Sequence, residues 1–263
     1  MVSDQTIISE NRDYWSQRSA TYSIENRNAL ATEGHPVWQG VLRELICSHI
    51  PDHSPGDVHI LEVGTGPGFF AILLAEAGYR VTAVDLTPSM LDEARNNAGR
   101  LAGSIRFIEM DAEALDFPDA AFDVVVSRNL TWNLPHPEQA YREWRRVLKP
   151  DGLLLNFDAN WYGYLFDARA LEAYEQDRRN TAQRGIRDAN IGENFDVMEK
   201  LAGRLPLSGL ARPQWDRDIL EHLGFSVKTD PHIWERVWSE NEKVNFASTP
   251  LFLVRAVRRR GME

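Results

Sequence analysis

The chain has 263 residues, 43% of them hydrophobic, with 29 Lys plus Arg against 39 Asp plus Glu. That length and composition describe a large folded unit with its own core and exclude a disordered or fibrous chain. The net charge of −10 argues against binding to nucleic acid, which needs clustered cations, and no run reaches the roughly 18 apolar residues of a membrane span.

Residues 10–50 read as helical, with Val37, Val41, Leu45 and Ile46 at helical spacing and Pro51 as the stop. Residues 57–64 (DVHILEVG) are a short apolar run ending in glycine, which reads as a strand. Residues 68–78 follow as a buried helix closed by Gly78. Residues 80–86 form the next strand, after which Thr87 caps and Pro88 opens a helix reaching about Ala102. Strands are expected at 104–111 and 121–127, the second with an all-apolar centre suited to burial on both faces. Residues 137–149 carry Ala140, Trp144, Val147 and Leu148 on one helical stripe, and the Pro150-Asp151-Gly152 turn leads into a fifth strand at 152–158. Residues 161–212 are helical, polar and aromatic, with no strand signal. A helix and strand resume over 213–230 around Gly224, and 248–259 is the last strand.

This alternation predicts an α/β fold with a doubly wound, mostly parallel sheet and helices on both faces. The expected units are N-terminal helices (1–56), a sheet core (57–160), a helical lid insertion (161–212) and the end of the sheet (213–263). Ligands of such sheets lie at the carboxyl ends of the strands, where Gly64–Gly68, Asp85, Asp111, Ser127–Asn129 and Asp158–Trp161 fall. Gly185 and Gly192 flank a polar stretch that reads as a hinge of the lid.

Glu62-Val63-Gly64-Thr65-Gly66-Pro67-Gly68 follows a strand and opens a helix. Its glycines permit a tight turn and close approach of a ligand. A dinucleotide fingerprint needs a glycine at 69, where Phe69 stands, and Pro67 lacks an N–H for phosphate; no Walker lysine is present. Asp85, 21 residues after Gly64, is spaced to accept both ribose hydroxyls of a nucleoside. Asp111-Ala112 ends the third strand, where a carboxylate can take an adenine amino proton. Alone, either aspartate reads as a helix cap or loop end; glycine loop and aspartates at successive strand ends together read as a nucleoside site.

HILEVGTGPG, VTAVDLTPSML and FIEMDAEALDFPDAAFDVVVSRNLTWNLPHPEQAYREWRRVLKPDGLLL together resemble the class I S-adenosylmethionine-dependent methyltransferases, in the small-molecule branch that includes the ubiquinone/menaquinone-biosynthesis C-methyltransferases. The resemblance covers about residues 57–160 and the helix-strand-strand ending. It implies a seven-stranded sheet with the last strand antiparallel, and S-adenosyl-L-methionine as cofactor. It places Glu62 and the Gly64, Thr65 and Gly66 backbone beside the methionine moiety, Asp85 on the ribose and Leu86 on the adenine. Asp111 and Ala112 read the adenine edge, and Ser127 and Arg128 offer backbone groups to the amino-acid end. DYWSQRSATYS (13–23) resembles the aromatic-Arg-Tyr helix that closes over the cofactor in this branch. On that reading Tyr14, Trp15 and Tyr22 face the sulfonium and Arg18 meets the cofactor carboxylate; a helix with its aromatics in the core is the other reading. Trp132 and Asn133 stand about where relatives often carry a histidine pair, so no histidine acid or base is expected there.

On the acceptor side, Asp158 at the fifth strand end is the expected base or cation-orienting group, with Tyr22 and Trp132 as further catalytic candidates. Trp132, Asn160, Trp161, Tyr164 and Trp234 are the expected acceptor contacts, aromatic as a planar or apolar acceptor requires. The partners implied are a small-molecule methyl acceptor and, at most, a second copy of the chain. No metal is expected: His49 and His53 sit by the Pro51 turn, and the lone Cys47, on an apolar helix, reads as core and fits a reducing cytoplasm. A nucleic-acid methyltransferase is disfavoured, because Asn129-Leu130-Thr131-Trp132 is not an Asn-Pro-Pro-aromatic tetrad. A NAD oxidoreductase is disfavoured by Phe69. A protein methyltransferase and a cofactor-binding regulatory module stay open, as do acceptor, acceptor atom and pathway.

Overall fold

Short β-rich apolar runs separated by amphipathic helices build the sheet. The computed structural model describes residues 4–32, 34–190 and 195–261. Strands β1 (His59–Val63), β2 (Arg80–Asp85), β3 (Ile105–Glu109), β4 (Phe122–Arg128), β5 (Leu148–Asp158), β6 (Phe225–Asp230) and β7 (Phe252–Arg258) form one sheet in the order β3-β2-β1-β4-β5-β7-β6. β7 runs antiparallel to both β5 and β6, and the other pairings are parallel. The alternation of side chains divides the central strands between two cores. Ile60, Val124, Val126 and Phe157 face Trp38, Phe70 and Leu73 on one side of the sheet. Leu61, Val63, Val125 and Leu154 face Tyr141, Trp144 and Leu220 on the other.

Helices α1 (Asp4–Leu30) and α2 (Gly34–Cys47) precede the sheet. α3 (Phe69–Glu76), α4 (Pro88–Ala98) and α5 (Pro137–Val147) connect its strands. α6 (Ala168–Gln183) and α7 (Phe195–Ala202), with single 3-10 turns at 163–165 and 206–209, fill the stretch after β5. α8 (Gln214–His222) precedes β6, and short α9 (Trp234–Val237) and α10 (Glu240–Asn245) precede β7.

Several local expectations shift. On α2 the buried face is Trp38, Val41, Leu42 and Ile46, while Val37 is exposed. α4 stops at Ala98 because Gly99 leaves the helix at φ 51°, and a 3-10 segment follows. Thr87 makes no side-chain cap; instead its own backbone N–H donates to Asp85. The expected 150–152 turn is an irregularity inside β5, which begins at Leu148. Cys47 is exposed rather than core, with Sγ 3.7 Å from the Tyr79 hydroxyl. Gly185 has φ 63° and ends α6 in a left-handed turn, while Gly192 lies outside the described residues. Among the described residues no helix is long and apolar enough to cross a membrane.

α1 is polar on most of its circumference because it serves three neighbours rather than one core. Asn11, Trp15, Tyr22 and Asn26 face the carboxyl ends of the strands. Ile7 and Tyr14 pack with Met198 and Leu201 of α7, and Arg204 pairs with Glu10. Ser23 and Arg27 meet Asn97 of α4.

Candidate active site

The strand ends place the glycine loop, Asp85 and Asp111 around one cavity, whose walls include Glu62, Gly64, Thr65, Gly66, Asp85, Leu86, Asp111, Ala112 and Arg128. The loop adopts positive φ at Gly64 (71°) and Gly66 (50°). The two glycines are needed for different reasons. A Cβ on Gly64 would lie 2.7 Å from Leu130, so protein fills that space. At Gly66 the nearest neighbour is the Tyr22 ring at 3.7 Å, so the backbone there stays open to a ligand.

Asp85 is held by the backbone. Gly66 N donates to one carboxylate oxygen at 2.8 Å and Thr87 N to the other at 2.9 Å. Each oxygen retains a lone pair, which is what two ribose hydroxyls require. Burial pushes the Asp85 carboxyl up, and the two amides offset only part of that push. Glu62 lies deeper. Burial raises its pKa to about 8, against the opposing pull of Thr65, whose hydroxyl donates to it at 2.6 Å, and of Arg128. A carboxyl so poorly compensated suits a cationic ligand group. Asp111 uses one oxygen to accept from Glu113 N at 2.9 Å, and the other has no hydrogen-bond partner among the described residues. The Ala112 carbonyl is taken by Trp144 Nε1 at 3.0 Å.

α1 crosses this cavity and is fastened at both ends. Asn11 and Asn133 exchange hydrogen bonds, with Asn11 Nδ2 on Asn133 O and Asn133 Nδ2 on Asn11 Oδ1, both at 2.9 Å. Asn26 Nδ2 donates to the Pro67 carbonyl at 2.8 Å, beside Asn97 at 3.0 Å. Sequence reasoning missed both asparagines. The only local signal was their spacing of 15 residues on the face that carries Trp15 and Tyr22.

Three residues placed on the cofactor by resemblance lie elsewhere. Tyr14 lines none of the cavities: about a quarter turn around α1 from Trp15 and Tyr22, it is buried with Met198 and Leu201 of α7, its ring edge-on to Trp15 at 5.2 Å. Ser127, expected to offer its backbone, does not line this cavity: it pairs in register with Val63 of β1 and Asn156 of β5, and its buried hydroxyl donates to the Val63 carbonyl at 2.9 Å. Arg18 does not line the cofactor cavity but a second one, whereas the Arg128 side chain lines the first. Arg128 sits 4.4 Å over the Phe69 ring and within 5.5 Å of Phe70 and Trp38, which gives Phe69 a reason to stand where a dinucleotide site has glycine.

The second cavity adjoins the first at Trp15, Tyr22 and Asn129 and is walled by Trp132, Trp161, Tyr162, Tyr174 and Phe246. A third, beside Trp38 and Trp238, also meets Tyr22, Asn129 and Trp161. Tyr22 and Asn129 therefore line all three. Asn129 has φ 55°, an uncommon backbone state that clusters at functional sites, and its Oδ1 is buried without a partner. Glu25, not singled out in the sequence, is the carboxylate of the second cavity's wall among the described residues.

Of the expected acceptor contacts, Trp132 and Trp161 line the second cavity. Asn160 lines none of these cavities, and its amide donates toward Leu210. Tyr164 stacks on Tyr174 at 4.0 Å and donates to Glu199 at 2.6 Å, which makes it part of the lid's own core. Trp234 packs on Trp238, and it is Trp238 that reaches a cavity.

Asp158 is overturned as a base. Its side chain is fully buried and accepts from Arg212 at 2.8 Å, from Trp132 N and Ala159 N at 2.9 Å, and from the Thr131 hydroxyl. Arg212 also holds Asp216, which accepts from Tyr141 at 2.6 Å. With its oxygens engaged and no exposed surface, Asp158 anchors the 131–132 turn from below. Arg212 carried no sequence signal, because its partners lie 54 and 81 residues away as well as at i+4.

Residues 61–156 match the family model of a methyltransferase domain. Similar curated proteins include a demethylmenaquinone methyltransferase of Deinococcus radiodurans, 45% identical over 105 residues (39% of this chain, 43% of the relative). A ubiquinone/menaquinone biosynthesis C-methyltransferase of Brucella anthropi is 34% identical over 148 residues, 54% of each chain. The chain spans about half the length of the curated relatives it matches. A proposed S-adenosyl-L-methionine-dependent methyltransferase of Methanococcus maripaludis superposes with a TM-score of 0.56 at 17% identity, covering 92% of this chain and 93% of that one, which shows the class I fold.

Proposed function

We propose that this chain, whose residues 61–156 match the model of a methyltransferase domain, moves a methyl group from S-adenosylmethionine to a small molecule held in the second cavity. The observation that carries this reading is the shared wall: Trp15, Tyr22 and Asn129 belong both to the cofactor cavity and to an aromatic cavity beside it. The bound cofactor supplies a methyl group on a sulfonium, displaced in line by a lone pair of the acceptor to leave a neutral thioether.

The residues of the chain bind, orient and exclude water. Asp85 takes the ribose, Asp111 the adenine edge, and Glu62 the ammonium of the amino-acid end. The Arg128 guanidinium, not its backbone alone, takes the carboxylate. Trp15 and Tyr22 place aromatic faces beside the sulfonium. Trp132 and Trp161 hold a flat acceptor against that end, and such positioning supplies several kcal/mol of the barrier. With Asp158 engaged below, Glu25 is the carboxylate placed to accept a proton from a hydroxyl or amine acceptor. The lid segment 161–212 closes the second cavity, and the chain works in the cytosol as a monomer or homodimer. The curated relatives make a planar ring the first acceptor class to try.

The test titrates S-adenosylmethionine calorimetrically, then follows methyl-labelled cofactor into fractions of a metabolite extract. Label in a small-molecule fraction is the expected result. Label in protein fractions makes this a protein methyltransferase, and tight cofactor binding without transfer makes it a regulatory module.

A further inference from the structure

The second cavity carries more chemistry than flat aromatic walls. Three buried polar atoms on its lining residues have no hydrogen-bond partner: Arg18 Nε, Trp161 Nε1 and Asn129 Oδ1. Two are donors and one is an acceptor. Arg18 uses one N–H on the Tyr14 hydroxyl at 3.2 Å, and no carboxylate lies within ion-pair reach of it among the described residues. Its other donors have no hydrogen-bond partner among the described residues. A half-buried guanidinium beside apolar rings is costly unless an anion completes it. Glu25, the carboxylate of the same wall, lies two helical turns along α1 and faces Arg187 at 3.8 Å instead. The first cavity has an arginine of its own, because Arg128 lines it and makes no ion pair among the described residues.

We infer that the acceptor is an aromatic acid. Resting on the methyltransferase reading, this assigns Arg18 to its carboxylate and leaves the reacting hydroxyl or amine at the wall shared with the first cavity, beside Tyr22. Arg18 and Tyr22 are one turn apart on α1 and both line the cavity, so an acceptor lying along the helix meets Arg18 at one end and the wall shared with the first cavity at the other. Methylation forms a bond from the lone pair of the hydroxyl oxygen or amine nitrogen to the methyl carbon. The carbon–sulfur pair stays on sulfur, and the displaced proton passes to Glu25 or water. A neutral ring of the same shape leaves Arg18 without its counter-charge.

The experiment uses the full chain saturated with S-adenosylhomocysteine and two probes, 4-hydroxybenzoate and the isosteric neutral 4-hydroxybenzamide. Tryptophan quenching reads occupancy, since Trp15, Trp132 and Trp161 line the cavity. The acid is expected to bind about tenfold or more tighter than the amide. Arg18→Gln removes that preference, and Arg18→Lys restores part of it. Equal affinity for the two probes, or binding of neither, overturns the inference. So does a loss of cofactor affinity in Arg18→Gln, which returns Arg18 to the cofactor. Cofactor titration of the wild-type chain is read separately: if it fails, the methyltransferase reading fails, whatever the probes do.

Discussion

Asp85 and Glu62 stand on adjacent parallel strands, and main-chain amides or a neighbouring hydroxyl fix each of them. Trp132, Trp161 and Tyr162, by contrast, are brought together by a turn after β4, the end of β5 and the lid. The cofactor half is therefore a property of the sheet. The acceptor half is a property of how α1, the lid and the 129–132 turn pack on it. The first should tolerate changes in the second, and the converse test is whether damage to the packing beneath the turn reaches the acceptor alone.

The buried Asp158–Arg212–Asp216 triad is where that separation can be broken hardest. Arg212→Met leaves two buried carboxylates without a counter-charge, and removing one partner of such a set costs about 3–5 kcal/mol. A large loss of stability by denaturant titration is expected. In the fraction that stays folded, cofactor affinity should hold within about twofold, because no atom of the triad touches that cavity. Unchanged stability would mean the triad is not buried as described.

On the cofactor side, Asp85→Asn keeps shape but replaces an acceptor oxygen with a donor facing Gly66 N or Thr87 N. It should weaken cofactor binding by about 2–3 kcal/mol in calorimetry, with the probes of the second cavity little affected. Glu62 adds a pH signature. Its folded pKa, about 8, lies above the ordinary 4.5, so between those values the cofactor-free fold holds a proton that the unfolded chain has lost. Stability of the empty protein should therefore fall as pH rises through that window, by at most about 1.4 kcal/mol per unit. Glu62→Gln should flatten the slope. A cationic ammonium favours ionised Glu62, so cofactor affinity should instead rise toward pH 8, with proton release visible as buffer-dependent heat.

The same contrast explains what was legible in the sequence. Strand, glycine loop and strand-end carboxylate are local signals, so Gly64, Gly66, Asp85 and Asp111 could be placed around one cavity from spacing alone. Asp158 satisfied that rule too, at the end of β5, and was misread. Strand-end position cannot reveal that Arg212 arrives 54 residues later to occupy it. Tyr14 and Tyr164 failed differently: aromatic side chains were counted without their helical phase or lid partners. Asn129 was visible only as a strand-end residue, because its positive φ and unpartnered amide belong to the folded backbone.

Trp161→Ala tests the acceptor wall itself. It should lower kcat/KM for the acceptor about ten- to hundredfold while cofactor affinity stays within about twofold, since Trp161 lines the second and third cavities and not the first. Equal loss on both substrates would place the cofactor deeper toward the lid than its strand-end contacts imply.

The smallest expected effect sharpens the boundary between wall and lid core. Tyr164 sits three residues from Trp161 and is equally aromatic, yet its ring stacks on Tyr174 and its hydroxyl donates to Glu199 of α7. Burial and that neighbouring carboxylate push its phenol far up, so it stays protonated and donating at any working pH. Tyr164→Phe keeps the ring and removes one hydrogen bond to a charged group, worth about 1.5–3 kcal/mol when both partners are buried and less here, where Tyr164 is buried but Glu199 is partly exposed. Stability should drop by roughly 1 kcal/mol, and acceptor kinetics should not move. Glu199→Gln, which keeps an accepting oxygen but loses the charge, should cost less than Tyr164→Phe, and the double variant less than their sum, because both act on the same bond. Additive losses would show that the two side chains act separately. A kinetic defect in Tyr164→Phe with unchanged stability would move Tyr164 from the lid core to the acceptor wall and extend the second cavity under the 163–165 turn.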